Sequence, residues 1–409
     1  MSKSQSLALL SVLVCASSLA RTQTMTAEQR LLRSMKSANP AGVFAALGEL
    51  AHKSVGNAVA PDSASQTEDT DDRHHPKIVT IDYPGALLTL LVAINDEGEI
   101  IGYYVNSAGG VSSFLREPDG TYVAIDPPGA GVGPGMGTII WSLNNRGSVA
   151  GTVVDQSGAA HAYLRTHDGK YAQIDVEGAG PLCCTLGLNI NEEDDVAGEY
   201  VDSANLFHGY LRFVDGKIER FSAKGAGGTG PQQGTLTAGT DGLNRKGDIA
   251  GGYFDDANIL HGVLRFRDGR IAVFDVEGAG TGSGQGTNAA GINDWLAIPG
   301  NYIDQNDVSH GFLRFANGYT EKFDVRMAGS GSGQGTVPEN VNSQGDIVGN
   351  YIDSTGTTYG FLRYVDGRIT TLEIPNALGL FPVNNNRMNA IVGYYEDANQ
   401  ILHGFLRTP

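Results

Sequence analysis

The side chains best suited to chemistry recur at regular intervals. Five histidines open variants of a His-Gly-Phe-Leu-Arg motif: His161, His208, His261, His310 and His403. A metal needs several ligands within about 2 Å of one point. Equivalent positions of a repeat stand apart, so each His is expected to hydrogen-bond to a turn of its own repeat. The motif closes on Arg116, Arg165, Arg212, Arg265, Arg314, Arg363 and Arg407, a potential basic ring for an anion. Asp82, Asp126, Asp175, Ser222, Asp275, Asp324 and Glu373 match them in number, which predicts ion pairs within each repeat instead. Acidic turns such as Asp304, Asn306 and Asp307 resemble calcium loops but lack the EF-hand spacing. No cofactor is expected, calcium being the one ion these turns leave open.

A binding site should break the repeat, so departures from it matter most. Cys183-Cys184 replaces a glycine-rich loop. The pair has three states open to it: a vicinal disulfide, two free thiols, or bridges to another chain. Trp141 stands where other copies have small residues such as Ala290. Trp295 and Pro299 occupy a repeat that has lost its turn glycine, and Phe381 follows a shortened loop. Aromatic side chains of this kind stack on sugars when exposed and fill cores when buried. Glycine-rich loops (Gly129 to Thr138, Gly225 to Thr235, Gly278 to Thr287, Gly329 to Thr336) bring backbone N–H groups within reach of a ligand. The candidate ligand face is therefore Trp141, Cys183, Cys184, Gln233, Gln285, Gln334 and Phe381. No Gly-x-Ser-x-Gly elbow is present. Gly225 to Gly230 has the letters of a dinucleotide fingerprint but opens no helix. Paired carboxylates for glycoside hydrolysis remain open among the many acidic residues.

The elements that would position these residues follow from the repeat itself. Four motifs recur seven times in fixed order. The first is an Asn after an apolar residue (Asn95, Asn144, Asn191, Asn244, Asn293, Asn342, Asn384). The second has the form Ile-Val-Gly-x-Tyr around Gly102, Gly151, Gly198, Gly251, Gly300, Gly349 and Gly393. The histidine motif and the acidic one complete the set. Each has strand length, and Asp-Gly pairs such as Asp215-Gly216 and Asp268-Gly269 mark hairpins between the third and fourth. Both residues of Ile347-Val348 are apolar, as in a sheet dry on both faces. Four-stranded antiparallel units of this size are β-propeller blades. The repeats begin with a fourth motif near Val79 and end with a third at Arg407. This offset predicts that the N-terminal strand completes the last blade, closing a seven-bladed all-β propeller over residues 76–409 and hiding the open edge.

Residues 1–20 read as a signal peptide, with an apolar core at Leu7 to Val14 and small residues at Ser18 and Ala20. Residues 21–54 read as a short helical arm, with a capping box at Thr26 to Gln29. Residues 55–75 read as an acidic linker. Export makes the mature chain extracytoplasmic, in the periplasm or outside the cell. Net charge is −17, which opposes nucleic acid and anionic membranes. No segment of the mature chain is apolar enough to span a membrane, and a monomer is expected.

The motif His161-Ala162-Tyr163-Leu164-Arg165 and its flanking Ile-Asn-x-x-Gly and Ile-Asp-x-Pro-Gly-Ala runs resemble the bacterial extracellular HAF-type repeats. The resemblance covers roughly residues 78 to 409, with Ser113 and Tyr359 as departures. It implies export and a propeller-like fold, and no particular activity. The expectation is a secreted binding or scaffolding module for carbohydrate, another extracellular polymer or an envelope component. The alternative is a polysaccharide hydrolase or lyase with carboxylates at the propeller funnel.

Overall fold

A computed structural model describes residues 76–180, 185–228, 230, 233–239 and 241–409. The expected signal peptide, helical arm and acidic linker, and the Cys183-Cys184 pair, lie outside these residues. The described chain is all-β, with 28 strands in repeated order. Among the described residues no helix is long and apolar enough to cross a membrane.

Each repeat folds as an antiparallel meander. In the first, Leu88–Ile94, Ile100–Val105, Val111–Arg116 and Tyr122–Ile125 pair in succession. The seventh has three strands of its own, Gly379–Asn385, Ile391–Glu396 and Leu402–Thr408. Lys77–Ile81 supplies the fourth, pairing antiparallel with Leu402–Thr408 and setting Ile81 opposite Gly404. Burial falls from the first strand of a repeat to the last. Leu88–Ile94 and Val149–Val154 are buried throughout, whereas Thr320–Phe323 is partly exposed. Adjacent side chains on a strand point to opposite faces, so the inner strands are packed on both.

Glycine sits where backbones must touch. A Cβ on Gly300 would lie 2.0 Å from the carbonyl oxygen of Asn288 and 2.7 Å from the ring of Phe312. The glycine of the second motif thus makes room for the aromatic residue of the third. Gly335 serves a different contact. It joins one repeat to the next by a parallel bridge to Ser309, at φ +119°, and a Cβ there would lie 1.9 Å from the Ser309 carbonyl oxygen. Gly335→Ala combines that clash with a backbone region reserved for glycine. It should cost about 3 kcal/mol or more, read as a lowered urea midpoint with unchanged m-value.

The first-motif asparagines form a continuous series of hydrogen bonds. The Nδ2 of Asn95 donates to the carbonyl of Asn144, and the series continues through Asn191, Asn244, Asn293, Asn342 and Asn386, which donates back to Asn95. The distances run from 2.9 to 3.5 Å. Each Oδ1 meanwhile accepts from the backbone N–H four residues on, and all but that of Asn244 also from two residues on, as Asn342 does from Asp346 and Gln344. The position needs a donor and an acceptor on one short side chain, which Asn has and Asp lacks. The seventh member is Asn386, not Asn384: Gly379–Asn385 has seven residues like Leu88–Ile94, and the ring residue is the one that follows the strand in both.

The arginines do not pair within their own repeats. Arg265 pairs with Glu219 and Arg363 with Glu321, each on the preceding repeat. Arg265, Arg314 and Arg363 also lie over the rings of Phe221, Phe274 and Phe323, 4.7–5.0 Å from the centroids. The reason is register. Arg314 stands opposite Thr320 at one end of its hairpin, while Phe323, just before Asp324, stands opposite Gly311 at the other. The fourth-motif acids therefore meet the histidines.

Candidate functional site

Those histidines are held between carboxylates. Nδ1 of His310 lies 2.8 Å from Asp324, its Nε2 lies 3.7 Å from Asp304, and its ring stacks on Tyr302. His161 and His261 repeat the arrangement with Asp175 and Asp155, and with Asp275 and Asp255. His208 meets Ser222 and Asp202. A hydrogen bond to the turn of the same repeat, as expected, is made by His208 to Asp202 at 3.1 Å; in the others the hydrogen bond goes instead to the acid after the fourth strand, and the turn carboxylate stands 3.5–3.7 Å off. His403 differs in reaching Asp82, which precedes the first repeat, as well as Asp397. Burial pulls its imidazole down, but the hydrogen bond and charge of Asp82, with Asp397, outweigh this and raise it. The acidic turns spend their oxygens locally: Oδ1 of Asp304 accepts the N–H groups of Asn306 and Val308. Among the described residues no three His, Cys, Asp or Glu side chains converge on a metal-sized point.

The three glutamines turn onto their own loops. Oε1 of Gln233, Gln285 and Gln334 accepts the N–H of Gly230, Gly282 and Gly331 respectively. Trp295 is exposed on the turn after its first strand and donates to the Ser343 carbonyl. Trp141 and Phe381 are almost fully buried, as core-filling aromatics are, and both also border a cavity among the first strands, lined further by Leu236, Asn288, Ala290, Glu339, Asn350 and Tyr394. Counted out to solvent, its space is about 840 Å³.

The cavity comes from one variable position. The residue after the second-motif glycine is Tyr103, Thr152, Glu199, Gly252, Asn301, Asn350 and Tyr394 in successive repeats. Each stands directly opposite a residue near the start of the first strand: Asn350 opposite Val337, Tyr394 opposite Phe381, Glu199 opposite Leu186. Opposed residues share a face. Where the pair is bulky it fills the centre: Tyr103, Trp141, Phe381 and Tyr394 join Leu90, Ile139 and Leu186 in one cluster. Where it is small or polar, as with Leu236–Gly252 and Asn288–Asn301, space remains.

The result is two unlike walls. Trp141 packs against Tyr103 with centroids 6.5 Å apart, and Phe381 stacks on Tyr394 at 5.0 Å. Facing them, Asn350 donates to Oε1 of Glu339 at 3.0 Å, and Asn288 to Asn301 at 3.2 Å. The indole Nε1 of Trp141, a cavity-lining residue, is buried and meets no partner in the protein. Burial holds the Tyr394 phenol well above its usual range, with Tyr103 and the Glu339 carboxylate pushing the same way. It is therefore a neutral donor and acceptor at every physiological pH.

Glu199 lies behind this wall, fully buried, with Oε1 accepting the Thr237 N–H at 2.8 Å and Oε2 unpartnered. Burial raises its carboxyl well above the usual value, against the bonds from Thr237. The folded state thus keeps a proton that the unfolded chain releases above about pH 4.3. Stability should fall as pH rises from there toward the folded pKa, by up to about 1.4 kcal/mol per pH unit. Glu199→Gln keeps the shape and removes the titration. Its melting point should match the parent at pH 4 and exceed it increasingly toward pH 7; a constant gap would contradict this.

No protein-family model matches the sequence, and no curated protein matches it. Solved structures do match. A lectin from Burkholderia pseudomallei aligns over 78% of this chain and 96% of its own, at 10% identity and a TM-score of 0.49. Puromycin hydrolase aligns over 75% of this chain and 50% of its own, at 12% identity and 0.47. The Aleuria aurantia lectin in complex with Fucα1-6GlcNAc aligns over 73% and 94%, at 10% identity and 0.38.

Proposed function

We propose that this chain is an exported, closed seven-bladed β-propeller of HAF-type repeats that binds carbohydrate in its central cavity. Closure is supported by the asparagine series, which visits each repeat once and returns to its start, and by the pairing of the two chain ends. Export is supported by the leader-like residues 1–20.

The binding reading rests on the opposed walls. A sugar ring has an apolar C–H face that packs on aromatic rings, and hydroxyls that need convergent polar partners. Trp141 and Phe381 border the cavity as the first, and Asn288, Asn350 and Glu339 as the second. Binding is favoured over hydrolysis by the count of carboxylates. Hydrolysis of a glycoside takes two flanking acids, and Glu339 is the single carboxylate among the described residues lining the cavity.

A glycan microarray probed with the mature chain tests this. Retention of a defined oligosaccharide, quenching tryptophan fluorescence in solution and leaving the sugar's mass unchanged, is the expected result. Shortened products would favour the enzyme, and no retention would refute the reading.

A further inference from the structure

The cavity differs at its two ends. Its lip includes Leu260, the first residue of a third strand, which pairs in parallel with Gly286 where the next first strand begins. That is the edge at which the glycine-rich loops enter. At the other end, repeat 4 carries extra residues between its first strand, Gly234–Thr237, and the ring member Asn244. Ala238 and Gly239 of this insertion line the cavity.

The insertion is fastened on three sides. Asn189 of repeat 3 donates to the Ala238 carbonyl and accepts the Gly242 N–H. The carbonyl of Asp241 accepts the N–H of Ile292 in repeat 5. The carboxylate of Asp241 accepts from Nδ2 of Asn384 in repeat 7, whose Oδ1 takes the N–H of Ile94 in repeat 1. Repeats 3 and 5 are the neighbours of repeat 4 in the asparagine series, whereas repeat 7 is three steps away. An insertion of repeat 4 bonded to all three, with Asp241 itself joining repeats 5 and 7, spans the centre. Asn189 and Asn384 are almost fully buried, so these bonds are sheltered from water.

We propose that this crossbar closes the cavity on the asparagine side, so that the site accepts the terminal unit of a neutral or amino-bearing glycan end-on and cannot thread a polymer. The proposal rests on the carbohydrate reading above. With the asparagine side stopped by the crossbar, a chain that enters between the first strands finds no exit there, so an end and not a mid-chain segment is taken. Charge sets the class. Glu339 in the wall and a net charge of −17 repel uronate, sialyl and sulfate groups.

The test uses the mature chain and the best-retained oligosaccharide from the array. Removing that oligosaccharide's terminal unit with an exoglycosidase should weaken binding by at least about tenfold in calorimetry. A long polymer of the same repeating unit should compete in proportion to its number of ends. Competition in proportion to polymer mass, or affinity unchanged by trimming, would overturn the end-on proposal and leave carbohydrate binding standing. A uronate, sialyl or sulfated terminus as the best ligand would overturn the charge assignment. Retention of no oligosaccharide would remove the carbohydrate reading and this proposal with it.

Discussion

A chain beginning at Tyr83 should lose its cooperative fold, while one beginning at Pro76 should keep it. The difference is a single strand, Lys77–Ile81, and Asp82. Ile81 is almost fully buried, and Ile78 packs on the cluster containing Phe405. Losing Ile81 alone forfeits about 1.5–3 kcal/mol of burial. The ladder to Leu402–Thr408 adds several hydrogen bonds of about 1 kcal/mol each. Leu402 and Phe405 would then sit on an open strand edge, a template for aggregation. The total is comparable with the stability of a typical protein, about 5–15 kcal/mol. Circular dichroism on heating should show a sharp transition for the longer chain and none for the shorter. A synthetic peptide covering residues 76–82 should restore the transition in trans. A shorter chain that melts like the parent would refute the pairing.

Trp141→Ala should abolish measurable glycan binding, a loss of about a hundredfold or about 2.7 kcal/mol. The aromatic wall loses its largest side chain, and residues of this type dominate interface energies. Trp141 also packs on Tyr103, so the truncation costs about 3–5 kcal/mol of stability. Two companions separate binding from folding. Trp141→Phe keeps most of the packing and shrinks the aromatic wall; it should bind about tenfold more weakly with a nearly parental melting point. Glu339→Gln removes the charge and keeps a hydrogen-bonding side chain toward Asn350. It should weaken binding of a neutral sugar and relax the exclusion of acidic ones. Calorimetry on folded variants reads all three. Unchanged affinity in Trp141→Ala would place the site elsewhere.

The repeat was legible because its markers answer to constraints that every copy shares. Gly300 must clear Phe312, and Asn342 must donate and accept at once; neither leaves room for substitution. Asn384 was misassigned because three consecutive asparagines, Asn384 to Asn386, hide which one closes the turn. The arginines were misjudged for a geometric reason. Sequence order places Arg314 near Asp324, while antiparallel register sends them to opposite ends of a hairpin and leaves Arg314 facing the previous repeat. Trp141 and Phe381 stood out as departures in type. Asn288, Glu339 and Asn350 did not, since a variable position inside a conserved-looking motif reads as noise until the strands are laid side by side. The extra length of repeat 4 was visible as spacing, but nothing in its composition said that it crosses the centre.

The variable position after the second-motif glycine has a further implication. Tyr, Thr, Glu, Gly and Asn all occupy it over an unaltered ladder, so the framework tolerates a wide alphabet there. Specificity is thus encoded on rigid strands, away from the outer turns, and can be rewritten one socket at a time. A small library confined to Gly252, Asn301 and Asn350 would recast the chamber while leaving the architecture alone, a separation of chassis from cargo that few binding surfaces built on loops possess.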